Sequence, residues 1–369
     1  MALIQPIRFI SNDKSQFYST LHARVDAYFK ENHLSKYATL GLVVKTVVLM
    51  SAYLLPLFAM AWFQPAFGWS LAIWAFMGVA MAGVGMSIMH DANHGAYSSN
   101  KYVNEFVGYS LILLGGSMYN WQLQHNNLHH TFTNITHYDD DIADKPGLRL
   151  SPHTEAKSVH RSQWLHAILI YSLVTLYWVT AKDFMQFVRF TRSGVNKNTP
   201  AQNRVLLAKI IAIKVAYFAL FIGFPILAGL PVLQVIAGFL LMHVIGGIIL
   251  TIIFQLAHTV EETTFPLPND KGIIENEWAI HQMNTTVNFS RKNRLLSWYV
   301  GGLNFQVEHH LFPKISHVHY PKIAPIVEKT AAEFNVPYLE HKTFVHALKS
   351  HFATLKRFGK LPEMDELMG

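Results

Sequence analysis

Two long stretches of this chain contain no Asp, Glu, Lys or Arg, one from Thr46 to His90 and the other from Val215 to Val260. Each is broken near its middle by helix-disrupting residues, Pro65 and Gly68 in the first and Pro225, Gly229 and Pro231 in the second. A spanning helix needs about 20 apolar residues, so each stretch holds most of a helical hairpin. The pattern predicts four crossings, near 38–63, 70–94, 205–226 and 231–258. Lys45 and Lys214 stand where their stems can snorkel to an interface. Two further apolar runs are read differently. Phe106–Met118 is too short to span. Trp164–Ala181 is long enough, but a crossing there would carry Lys182, Arg189, Arg192, Lys197 and Arg204 to the outer face. Both runs are therefore assigned as interfacial or re-entrant helices.

Composition agrees with a membrane protein. Only 14% of the 369 residues are charged, against about 25% in soluble globular proteins. The two hairpin turns lack Lys and Arg, so the positive-inside rule places both termini and the 95–204 segment in the cytoplasm. The net charge of +7 fits that accumulation, and equally a basic face toward anionic lipid or a phosphate-bearing substrate. There is no cysteine, which excludes disulfides, iron–sulfur clusters and thiolate zinc sites and says little about compartment. The polar segment 1–36 has no apolar signal-peptide core. The expected division is a cytoplasmic segment 1–36, a membrane domain 37–340 and a cytoplasmic tail 341–369.

Helix length brings the chemistry into view. At 1.5 Å per residue, a helix from Ser70 to His94 is roughly 36 Å long and one from Pro231 to His258 roughly 40 Å. The hydrocarbon core is only about 30 Å thick, so both helices should project past the cytoplasmic face, carrying His90, His94 and His258. Three histidine clusters then stand out: His90-Asp-Ala-Asn-His94, His125-Asn-Asn-Leu-His129-His130 and Gln306-Val-Glu-His309-His310. Imidazole is the usual neutral ligand for iron, copper and zinc. Spacings of three and four put ring nitrogens on one helix face. One such pair arises by chance among 21 histidines; three clusters point to a metal centre. His130 is rotated about 100° from His129 on an ideal helix, so adjacent histidines can serve two metals. Zinc has no redox chemistry and its structural sites need four ligands; eight histidines suit two irons.

Asp91, Asp139 and Asp141 are candidates for orienting the imidazoles, with a helix-end aspartate and a solvated loop as the plainer alternatives. Arg291, Lys292 and Arg294 form either a phosphate or CoA site or, the favoured reading, an ordinary cytoplasmic basic run. Trp298 and Tyr299 line substrate access or anchor the interface, the commoner role.

The three boxes, in their order and spacing, resemble the membrane fatty-acid desaturase family. Gly301-Gly-Leu-Asn-Phe-Gln-Val-Glu-His-His-Leu-Phe-Pro313 is similar to its front-end branch, where glutamine replaces the first histidine of the third box. His129-His-Thr-Phe-Thr-Asn-Ile135 and Asp139-Asp-Asp-Ile142 carry the same likeness, which extends from about residue 35 to about 340. The resemblance implies iron ligands at His90, His94, His125, His129, His130, His258, His309 and His310, with Gln306 at a ligand position, directly or through water. Relatives with three histidines in the last box hold a water through an asparagine one turn before the span-four histidine; Phe254 stands there in this chain. There is no His-Pro-Gly-Gly haem motif, so a separate donor, ferredoxin or free cytochrome b5, is implied.

The expected protein is an all-α integral membrane enzyme with four transmembrane helices and a cytoplasmic helical cap holding a histidine-rich di-iron site. Its implied reaction uses dioxygen to insert a cis double bond on the carboxyl side of an existing one, in an acyl chain carried by CoA or lipid. Membrane lipid is an implied partner and nucleic acid is not. A lipid hydroxylase or ketolase would share the iron centre, but the Gln306 box argues against it. A transmembrane haem protein would place histidine pairs inside the spans, and a metal transporter would need carboxylates along a path.

Overall fold

The computed structural model describes residues 7–10, 13–142 and 147–360. The outermost parts of the predicted N-terminal segment and tail, 1–6 and 361–369, lie outside the described residues. Five helical runs are long and apolar enough to cross a membrane: Leu40–Phe63, Phe67–Asn93, Ser158–Arg192, Pro200–Leu227 and Val232–His258. Four coincide with the predicted crossings. The fifth contains the Trp164–Ala181 run, so length and composition alone admit one more span than the charge pattern predicts. It presents Leu165, Leu169, Leu173 and Tyr177 outward as an exposed stripe at four-residue spacing.

Departures from α-helical geometry were not legible in the apolar pattern. π-helical turns occupy Val84–Met89, Gln122–His129, Trp178–Lys182 and Ala219–Gly223. Such turns leave the i→i+4 ladder and often mark functional sites. The first runs directly into His90 and the second contains His125 and His129.

The chain forms two compact units. The first comprises Ala38–Leu123 and Ile168–Thr251. Its core gathers Tyr53, Leu57, Trp74, Met77, Met81, Tyr217, Phe221, Phe239 and Met242. Close helix approach depends on missing side chains: a Cβ on Gly238 would lie 2.0 Å from Trp74 Cδ1, the small-residue packing that membrane helices favour. The Phe106–Met118 run does not form a span. It breaks into the helix Lys101–Gly108, a 3-10 turn Tyr109–Leu114 and a left-handed turn at Gly115. The snorkelling predicted for two lysines is corrected here, since both Lys45 and Lys214 are buried. Lys45 interacts electrostatically with Asp91. Lys214 Nζ donates to Asp183 Oδ2 at 2.6 Å, Gly115 O at 2.6 Å and Trp178 O at 2.7 Å. An ammonium with all three protons accepted inside the protein has no need of the interface.

Among the described residues, the second unit comprises 7–10, 13–37, 124–142, 147–167 and 252–360. The helix Phe17–Glu31 buries Phe17, Leu21, Val25 and Phe29, one apolar stripe at four-residue spacing. These pack with Ile323, Val327 and Ala331 of the helix Tyr320–Glu333. Short parallel pairings join Arg8–Phe9 to Ile273–Ile274 and Asn288–Phe289 to Glu340–His341. The helix Phe344–Phe358 is tied in by the buried Arg149, which donates to Phe358 O at 2.8 Å. The polar N-terminal segment and much of the predicted tail thus build one helical body.

Candidate metal centre

Six histidines of the second unit come together from three elements. His125 and His129 lie on the π-helical turn Gln122–His129, with His130 opening the next short helix. His258 is the last residue of Val232–His258, and His309 and His310 ride with Gln306 on the short helix Gln306–Leu311. All six and Gln306 are buried. The rings of His129, His258 and His310 are mutually 4.7–4.9 Å apart between centroids. Their donor atoms lie within 4.8 Å of one another, as do those of His125, His129 and Asp141. His130 stacks on His310 at 4.4 Å and stands edge-on to His309 at 4.6 Å and to His125 at 4.8 Å.

A second layer holds the rings by their Nδ1 atoms. Both carboxylate oxygens of Asp139 lie 3.1 Å from His129 Nδ1, and Asp141 Oδ2 lies 3.4 Å from His125 Nδ1. The backbone N–H groups of Asn134 and Asp141 donate to Asp139 at 2.9 Å, which fixes that carboxylate in turn. His258 Nδ1 bonds Thr285 O at 3.3 Å, His309 Nδ1 meets Tyr320 Oη at 3.1 Å, and His310 Nδ1 meets Gln282 Oε1 at 2.8 Å. A ring that donates from Nδ1 presents the Nε2 lone pair on its other side. Burial also pushes the pKa of His125 down, against the pull of Asp141, which favours the neutral form that binds metal.

Two atoms test whether a metal fits. Thr285 O can only accept, so His258 carries its proton on Nδ1 and its Nε2 is a lone pair. That atom is buried with no hydrogen-bond partner, and so is Gln306 Oε1. An unsatisfied buried acceptor costs about 1–3 kcal/mol, and a cation removes that cost. Nitrogen-rich, thiolate-free donors suit iron, zinc or copper. The residues fit a bound metal ion.

The first unit carries His90 and His94 at the end of Phe67–Asn93. Their rings are 4.7 Å apart, close enough to chelate one ion, and Trp121 stands edge-on to both at 5.8 and 5.6 Å. Asp91 is buried and coupled to Lys45, which removes the solvent-exposed helix-end alternative. Other sequence candidates stay outside the cluster. Arg291 is committed within the protein: it donates to Tyr338 Oη at 3.0 Å and pairs with Glu340 and with Glu328 at 3.1 Å. That argues against the phosphate or CoA alternative for Arg291, which the sequence did not favour. Lys292, Arg294 and Trp298 are exposed and Tyr299 is half-buried. Phe254 packs its ring on His129 at 5.1 Å and His258 at 5.0 Å, an apolar wall.

Several supporting residues carried no sequence signal. Gln282 receives the Thr133 hydroxyl at 2.9 Å on the Oε1 that meets His310, and its Nε2 donates to His130 O at 3.2 Å. Beneath the third box, Glu308 accepts from Tyr338 Oη at 2.6 Å and Asn288 Nδ2 at 2.9 Å, and burial raises its pKa to about 7. No spacing rule links residues 282, 288, 308 and 338; only folding does.

Comparison with known proteins is consistent with this geometry. The fatty acid desaturase family matches residues 66–342. The chain is 36% identical to the sn-1 linoleoyl-lipid 6-desaturase of Arthrospira platensis, over 94% of each chain. It is 34% identical to the enzyme of the same name from Synechocystis sp., over 98% of this chain and 99% of that one. The acyl-lipid (8-3)-desaturase of Physcomitrium patens is 35% identical, over 96% of this chain and 74% of its own.

Proposed function

Since this chain belongs to the fatty acid desaturase family, we propose that it inserts a cis double bond into an already unsaturated acyl lipid, on the carboxyl side of an existing double bond. The observation that carries the reading is the Gln306–Leu311 helix. It presents a buried glutamine oxygen beside His309 and His310, the third-box form that the sequence shares with front-end enzymes. The proposed iron ligands are His125, His129, His130, His258, His309 and His310 with Gln306 and, from the first unit, the His90–His94 pair. Two irons held there would supply the activation of dioxygen: two external electrons, two protons and two hydrogens from adjacent methylenes together reduce it to two waters.

The protein's own residues supply rigidity and dryness. Asp139, Asp141, Gln282 and Thr285 O hold imidazoles in one orientation, which spares reorganisation during reaction. Phe254 closes one flank of His129 and His258 to water. A narrow apolar tunnel would then set which carbons reach the centre. Relatives named as acyl-lipid desaturases favour a lipid-linked acyl chain over a CoA ester. Electrons come from a separate donor, ferredoxin or free cytochrome b5.

The proposed membrane arrangement keeps four crossings, with Ser158–Arg192 at the cytoplasmic surface and both termini and the metal centre on that side, over the segments 1–36, 37–340 and 341–369. Its support is the cationic run Lys182, Arg189, Arg192, Lys197, Arg204 and Lys209, whose one acid, Asp183, is buried against Lys214. The test of function is product analysis in a host fed linoleate, α-linolenate or stearate. Gas chromatography–mass spectrometry should find one added double bond on the carboxyl side of either polyunsaturated acid and little product from stearate. A methyl-side bond, a hydroxylated product or efficient conversion of stearate to oleate would reject the proposal.

A further inference from the structure

The geometry points to Asp183 and Lys214 as a positioning pair: this buried ion pair clamps the Gly115–Gln122 segment, through which Trp121 and Gln122 hold His90 and His94. The inference rests on the proposed ligand role of those two histidines. Lys214 is buried in an apolar helix, and its three ammonium protons reach Asp183 Oδ2, Gly115 O and Trp178 O. Trp178 opens a π-helical turn and Gly115 ends a 3-10 turn, places where backbone carbonyls lose regular partners.

Asp183 holds the same segment from the other side. Its Oδ2 accepts Ser117 N–H at 3.1 Å, and its backbone carbonyl accepts Asn120 Nδ2 at 2.8 Å. The turn at Gly115 has room for no side chain. Its φ is +75°, and a Cβ there would lie 2.7 Å from Val179 Cγ1 and 3.2 Å from Tyr217. One residue past Asn120, Trp121 packs on both His90 and His94. Next, Gln122 Nε2 donates to Oδ1 of Asn93, the residue immediately before His94, at 3.2 Å. Every link from Lys214 to the His90–His94 pair is therefore a contact within the first unit.

Stability alone does not account for the pair. A buried ion pair is often no more stabilising than an apolar pair of the same size. This one also leaves Asp183 Oδ1 buried without a hydrogen-bond partner. What the pair does supply is one fixed placement for a glycine turn that has no side chain of its own to pack.

The test uses the full-length protein in nanodiscs, with Lys214→Met and the charge-free double variant Asp183→Asn/Lys214→Met. The single variant leaves a carboxylate buried alone, so if it does not fold the double variant carries the test. Amide exchange should quicken across residues 115–122 in the double variant, while residues 232–251 keep wild-type protection. Iron per chain should fall, and kcat should drop about tenfold with KM little changed, as for a lost support of metal ligands. Wild-type exchange across 115–122, or wild-type iron content and kcat in a folded double variant, overturns the clamp. Wild-type protein that binds no iron would overturn the metal reading instead, and the exchange measurement would still decide the clamp.

Discussion

Asp139 shows how much of the proposed chemistry turns on single hydrogen bonds. Its carboxylate can only accept, so it holds the His129 proton on Nδ1 and leaves Nε2 as a donor atom. Asp139→Asn keeps the volume but can turn an N–H toward Nδ1, which reverses the tautomer. Iron content and turnover should fall about 10–100-fold with the fold retained, as read by metal analysis and product formation. Gln306 is the second decisive residue. Its amide oxygen is a weaker donor than imidazole and is buried without a hydrogen-bond partner. Gln306→His adds a ring and a stronger ligand to that place, so turnover should fall although iron is retained. Wild-type turnover in that variant would show that the position does not tune the centre.

Among the elements, Ser158–Arg192 decides the topology, because only its placement separates four crossings from five. The chain has no cysteine, so single cysteines report sidedness without background. Ser70 and Ser151 are buried and unsuited to labelling, whereas Gly68, Ser99 and Lys197 are exposed. With four crossings, Gly68→Cys should react only from outside, and Ser99→Cys and Lys197→Cys only from the cytoplasm. Labelling of Lys197→Cys from outside would make Ser158–Arg192 a crossing. The energetic reason to expect the first outcome is the cost of moving the 182–209 cations across the membrane against the positive-inside bias.

The second unit as a whole should lose stability in acid. His281 and His351 are buried, each donating to a backbone carbonyl, Thr133 O at 2.8 Å and Thr259 O at 2.7 Å. Burial lowers both pKa values to about 4 from 6.5. A lowered histidine pKa means that the unfolded chain binds protons first. Stability is therefore intact above about pH 6.5 and falls as pH drops toward 4, by up to about 3 kcal/mol per group. Thermal unfolding followed between pH 7.5 and 4.5 should show this slope. Replacing either histidine with glutamine should flatten it; an unchanged slope in both variants would assign the acid sensitivity elsewhere.

Much of this was legible along the chain because its causes are local. Charge-free runs of spanning length and clustered histidines are properties of neighbours in sequence, so the apolar helices at Leu40–Phe63, Phe67–Asn93, Pro200–Leu227 and Val232–His258 and the three boxes could be read directly. The roles of Lys45, Lys214 and Arg291 could not, because a charge near an apolar run looks the same whether it faces water or a buried partner. Nor could the π-helical turns, since inserting one residue into a helical ladder barely alters the apolar pattern while re-aiming each side chain beyond it. Gln282, Thr285 and Tyr320 support His310, His258 and His309 from 28, 27 and 11 residues away. The sequence by itself determined the kind of side chain offered to a metal. Only the tertiary structure decided which Nδ1 each neighbour holds, and so which lone pairs converge, because hydrogen-bond direction depends on distances of a few ångströms between residues far apart in the chain.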